Sequence, residues 1–274
     1  MDLWSKNIRN MKYFLLLGIL VPVASGCEKT GTVPIVAKPA AFTVVNVIPN
    51  SAPVIPVINT TSAALSDYFW NANAIGYGNF YEYSPPGGND TIYVVQQNSD
   101  TMDIGPKDAG LMFYNILDLK AGGIYSLFLT GADTSSPDYL LTTDSLPYQS
   151  PTDSTVGIRF VNLSAGSNPI SINLEGSPNG SAVGNLAYKN ITSFKNYVSN
   201  STVTNSGYLF VIRDVASGDS LTSYLVPGIG TGNGVGLMDP TNSNPLVFRN
   251  VTIAVYGSEN GTTTPLMTML VDNY

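Results

Sequence analysis

Short β-branched and aromatic runs fill nearly the whole chain, cut at a spacing of about 10 residues by Gly, Pro, Asn and Ser. No stretch holds a helical period of useful length. Phe42-Thr43-Val44-Val45-Asn46-Val47-Ile48 is one such run, and Pro49-Asn50-Ser51 ends it as a turn. Ile92 to Val95 follows a Pro- and Gly-rich turn. Leu111 to Leu117 and Ile124 to Leu129 flank Lys120-Ala121-Gly122-Gly123, which reads as a hairpin. Further runs are Val156 to Leu163, Tyr208 to Arg213, Leu221 to Val226, Val251 to Tyr256 and Leu266 to Val271. Many short strands with turn residues between them predict an all-β chain of sandwich type.

The pattern occurs twice. Val45-Asn46 with Ala52-Pro53-Val54 returns, at a constant offset, as Val161-Asn162 with Asn168-Pro169-Ile170. Each copy closes on a strand, a Gly and another strand: Tyr125 to Gly131 then Tyr139 to Leu141, and Ile253 to Gly257 then Leu266 to Asp272. Each unit has the length of an immunoglobulin-like β-sandwich. The expectation is therefore two tandem immunoglobulin-like β-sandwich domains, with one larger split sandwich as the alternative.

The N-terminus carries an address. Lys6, Arg9 and Lys12 precede the apolar run Phe14 to Ala24, and Ala24-Ser25-Gly26 lead into Cys27. Eleven apolar residues reach roughly 16 Å as helix, about half a bilayer core, too short to span. This layout resembles the bacterial lipoprotein signal, in which the Cys is acylated and becomes the new N-terminus. Cys27 is the only cysteine in the chain, and Met11 would serve as a start as well as Met1. Cleavage before Cys27 removes three cations, Lys6, Arg9 and Lys12, and one anion, Asp2, so net charge moves from −7 to about −9. The expected organisation is a signal peptide over residues 1–26, a lipidated tether over 27–40, a first sandwich over 41–147, a linker over 148–155 and a second sandwich over 156–274. The expected location is the cell envelope, lipid-anchored in the outer membrane at its periplasmic face or at the cell surface.

The segments "VVNVIPNSAPVIPV", "IGYGNFYEYSPPGGNDTIYVV" and "LKAGGIYSLFLTG" resemble the domain-of-unknown-function family numbered 4397, and "IRFVNLSAGSNPISINLEG" is a second, more divergent match. Asn50 and Ser51 stand where that family often has Asp and Ala. The resemblance implies a β-sandwich, often in tandem, on secreted or surface-anchored bacterial proteins such as Bacteroidota lipoproteins. It implies no catalytic residue.

Composition removes several chemistries. No histidine excludes Ser-His-Asp and Cys-His catalysis and His-ligated zinc. One cysteine excludes disulfides within the chain and Cys-rich metal sites. Twelve Lys+Arg against 19 Asp+Glu do not supply the cationic surface that nucleic acid requires. Glu82, Glu175 and Glu259 form no paired motif for carboxylate catalysis. Asn89, Asp90, Asn98, Asp100 and Asp103 offer oxygen ligands, but no D-x-D-x-D-G loop forms, and Asx residues are ordinary turn formers. No metal and no cofactor is expected. Gly228 to Gly236 lacks the Lys of a phosphate loop.

Two patterns point outward. Tyr77, Tyr81 and Tyr83 have even spacings, so in a strand they would share one face, either as core or as an aromatic platform for sugars or proteins. Five Asp-Ser/Thr triplets place Thr91, Thr101, Ser145, Ser154 and Ser220 in a pattern that resembles the O-glycosylation acceptor of Bacteroidota envelope proteins; turns before strands produce the same triplet. The expected function is a non-enzymatic envelope lipoprotein that binds a glycan or protein, as adhesion modules do. The alternatives are a structural subunit of an envelope assembly or fibre and, with least support, a carboxylate-only glycoside hydrolase.

Overall fold

The structure, a computed structural model, describes residues 38–58, 74–97, 110–199, 207–226, 246–259, 261 and 263–273. Among the described residues there is no helix, and fifteen strands form four sheets. The first half holds β1 (Ala41–Asn46), β2 (Val54–Ile58), β3 (Asn79–Tyr83), β4 (Gly88–Gln96), β5 (Leu111–Leu119), β6 (Ile124–Gly131) and β7 (Pro137–Thr143). The second half holds β8 (Thr155–Asn162), β9 (Ile170–Leu174), β10 (Val183–Leu186), β11 (Lys195–Val198), β12 (Tyr208–Asp214), β13 (Ser220–Val226), β14 (Asn250–Tyr256) and β15 (Met267–Asn273).

One strand order occurs twice. An inner sheet runs β3-β1-β6-β7 in the first half and β11-β8-β14-β15 in the second. In each, the first strand of the half lies parallel to a late one, β1 to β6 and β8 to β14, while the flanking pairs are antiparallel. The outer sheets are β2-β4-β5 and β10-β9-β12-β13. Each half is thus a β-sandwich with its own core. Phe42, Val44, Ile92, Phe113 and Leu127 fill the first, and Ile158, Phe160, Ile172, Phe210 and Ile253 the second.

The Val-Asn repeat has a physical reason. Asn46 and Asn162 end equivalent strands and are fully buried. Each Oδ1 accepts a backbone N–H two residues on, from Ile48 and Ser164. Each Nδ2 donates at 3.0 Å to a carbonyl of a distant segment, Ile75 or Leu186. The amide turns the chain and ties it down without leaving a buried polar group unpaired.

A third core joins the halves. Val45, Val47 and Phe128 from the first inner sheet pack on Val161, Leu163, Ala254, Tyr256, Met269 and Val271 of the second half. The chain is therefore four sheets deep, outer–inner–inner–outer. The inner strands are covered on both faces, which explains why β6, β8 and β14 are buried along almost their whole length rather than in alternation. Thr130 Oγ1 donates across this interface to the Leu163 carbonyl at 2.7 Å.

Two local expectations change. Lys120–Gly123 is not a hairpin: β5 pairs with β4, whereas β6 pairs with β1 and β7, so the turn arches between sheets. Leu119 and Tyr125, on either side of it, enter the same core, and the Tyr125 hydroxyl accepts the Lys120 N–H at 2.8 Å. Residues 148–155, read as a linker, are tied to the second inner sheet. Gln149 is buried and donates to Asn250 Oδ1 (2.9 Å) and Asn196 Oδ1 (3.0 Å), while its own Oε1 accepts from Thr155. Gly157 makes room for this network, since a Cβ there would lie 2.1 Å from Asn250 Oδ1.

Candidate functional site

Equivalent positions at one end of the inner-sheet interface are polar. Thr43 pairs with Ser126 in the first half, and Arg159 pairs with Thr252 in the second. Even spacing puts these side chains on the same faces as Val45, Phe128, Val161 and Ala254, so the apolar interface gives way to a polar one along the same strands.

Arg159 and Asp144 meet there across the two halves. Arg159 Nη1 lies 2.8 Å from Asp144 Oδ1, and the two side chains are 6% and 0% exposed. Asp144 also accepts from Ser126 Oγ (2.6 Å) and Thr142 Oγ1 (2.8 Å). Arg159 Nε donates to Thr252 Oγ1 (2.8 Å), which in turn donates to Asn273 Oδ1. The Phe194 ring lies against the guanidinium, 4.6 Å from centroid to Cζ. A charge taken from water in this way needs a partner and further hydrogen bonds, and Asp144 with Thr252 supplies both. Arg159 Nη2, itself buried, finds no hydrogen-bond partner among the described residues.

This network borders a cavity of about 630 Å³. Arg159 forms part of its wall, with hydroxyls from Thr142, Thr143, Ser145, Thr192 and Ser193. Pro147, Ile191 and Phe194 give it an apolar side. Its walls come from the end of β7, the segment that crosses between the halves, β8 and the segment before β11. Asp138 of β7 also links the halves, through Lys189 Nζ (2.8 Å) and the Tyr188 hydroxyl (3.2 Å). Burial alone would raise the Asp138 carboxyl, but the bonds from Lys189 and the Tyr139 N–H outweigh it and hold the group below its ordinary value. Burial pushes the Tyr188 hydroxyl up to about 12.

The structure brings Tyr81 and Tyr83 together but not Tyr77. Tyr81 and Tyr83 share a face of β3 with ring centroids 5.1 Å apart. Tyr81 is 44% exposed, whereas Tyr83 packs against the first core, and burial raises its hydroxyl strongly. Tyr77 precedes β3 across a turn at Gly78, which sits at positive φ, so strand parity does not reach it. It packs edge-on against Tyr256 in the third core (5.4 Å), and burial first, then Tyr256, pushes its hydroxyl up to about 12.

Among the triplet hydroxyls, Ser145 and Ser220 are exposed, Ser145 on the cavity wall and Ser220 at the start of β13. Thr91 is half-buried in β4, opposite Ile116. Ser154 is half-buried at positive φ, and its carbonyl accepts the Ser199 N–H. Thr101, Cys27, Asn98, Asp100, Asp103 and Gly228 to Gly236 lie outside the described residues. Glu82, Glu175 and Glu259 are exposed on separate elements. Among the described residues no three acidic, His or Cys side chains gather as a metal site would require.

Arg159 was not singled out from the sequence, and Asp144 only as the head of the Asp144-Ser145-Leu146 triplet, although one signal was available: Arg159 is the only charged residue in the run Val156 to Leu163. No family model and no curated protein matches the chain. Among solved structures, the chain is similar to a Bacteroides ovatus protein described as a "putative adhesin", at 12% identity and a TM-score of 0.23, over 86% of this chain and 95% of that one.

Proposed function

We propose that the protein is a lipid-anchored binding module of the bacterial envelope, held by Cys27 and tethered over residues 27–40, which takes a glycan or protein ligand and carries out no chemistry on it. The resemblance to the family numbered 4397 belongs to the same proposal. The observation that carries the binding reading is the cavity between the two sandwiches, walled by hydroxyls, an aromatic ring and a buried arginine. A concave site with a few convergent polar groups on an apolar wall is the usual form of a small-ligand site. Glycosylation at exposed Ser220, away from the cavity, fits the same location. Labelling cells with palmitate tests the anchor: the wild type should carry the label and sediment with membranes, and Cys27→Ala should do neither. Turnover of a polysaccharide by the purified full chain would contradict the binding role.

A second reading is favoured by one observation. Strand β5 ends the first outer sheet and exposes Tyr114 (51%) and Ile116 (57%). Such an edge pairs readily with a strand of another chain, as a subunit of an envelope assembly would require. Crosslinking that traps one stoichiometric partner through β5 would support this reading over the first.

A further inference from the structure

We propose that the cavity at the polar end of the inner-sheet interface binds the end of a neutral sugar chain, held by the serine and threonine hydroxyls of its wall. The inference rests on the binding-module reading and adds the ligand class.

Three observations lead to a neutral, polyhydroxylated ligand. The first is charge. The guanidinium is already matched by Asp144 at 2.8 Å. A carboxylate brought into the cavity would set a second anion beside the one that already matches this cation, in a chain whose net charge is already −7. A neutral ligand meets no such repulsion. The second is the wall. Serine and threonine hydroxyls both donate and accept, which suits vicinal sugar hydroxyls that do the same. The Thr192 hydroxyl oxygen accepts the Phe160 N–H at 3.0 Å, which leaves its own proton to donate. The third is shape. Phe194 and Ile191 offer the apolar surface on which the C–H face of a pyranose packs, and about 630 Å³ falls inside the roughly 300–1,000 Å³ of small-ligand sites.

The test uses the full chain in detergent micelles on an array of neutral oligosaccharides, uronate-containing oligosaccharides and neutral peptides. Two variants accompany the wild type. Ser193→Trp places an indole on the exposed rim and leaves both cores untouched. Thr143→Val removes one exposed wall hydroxyl and keeps the side-chain volume. The expected result is binding of neutral oligosaccharides by the wild type, loss of that binding in Ser193→Trp at unchanged Tm, and weakening of about tenfold in Thr143→Val. Sugar binding that survives Ser193→Trp overturns the cavity assignment while the binding-module reading stands. Preference for uronate glycans or for peptides overturns the ligand class. Absence of binding to every member of the array overturns the inference, while the protein-ligand form of the binding-module reading stands.

Discussion

Replacing Phe128 by alanine should destabilise the protein as much as a deletion inside either sandwich. Phe128 is fully buried, yet it belongs to neither sandwich interior: it points from the first inner sheet onto Val161, Ala254 and their neighbours in the second. If the halves were independent beads, this face would be wet in solution and the substitution nearly neutral. In the four-layer arrangement the ring is lost from a packed interface, and Phe→Ala in such a place costs about 3–5 kcal/mol. That is a large share of the roughly 5–15 kcal/mol of a typical domain, and about 10 °C in Tm for a unit of this size. Urea denaturation followed by far-UV circular dichroism measures it, with Tyr148→Ala, at an 83% exposed position, as the control expected within about 0.5 kcal/mol of wild type. A loss below about 1 kcal/mol in Phe128→Ala would refute the third core.

Three further outcomes follow from the junction. Asp144→Asn should cost about 3–5 kcal/mol, because it strands the buried Arg159 charge, and Asp144→Leu combined with Arg159→Met should recover much of it, both read by thermal denaturation. Gly157→Ala should destabilise by more than about 1 kcal/mol, since its Cβ would collide with the Asn250 side chain and displace Gln149; the same urea titration checks it. The Asp138–Lys189 bridge sets a pH dependence. Asp138 is held below its ordinary carboxylate value of 3.8, so its contribution is complete above that value and fades as pH falls through the lower folded-state value. Both side chains are more than a third exposed, which makes the effect small and weakened by salt; Asp138→Asn should flatten that part of the acid stability curve.

Much of the fold was legible because sandwich strands announce themselves by β-branched runs and turn residues. The inner strands were legible in a further way: Val156 to Leu163 and Val251 to Tyr256 do not alternate, as strands covered on both faces need not. What escaped was decided by tertiary context. Lys120–Gly123 has the residues of a hairpin, but the burial of Leu119 and Tyr125 in one core sends the chain to the opposite sheet. Strand β11 buries only Tyr197 of its four residues, too little pattern to register. Tyr77 lost its parity with Tyr81 to a single glycine turn. The candidate site was the least legible part, because Asp144 and Arg159 belong to different halves and only the stacking of two inner sheets brings them together.

The central claim is that the two sandwiches form one cooperative body with a site at their junction, and differential scanning calorimetry of the full chain tests it most directly. The account predicts a single endotherm whose calorimetric and van't Hoff enthalpies agree. Two separable transitions, each the size of one sandwich, would contradict it.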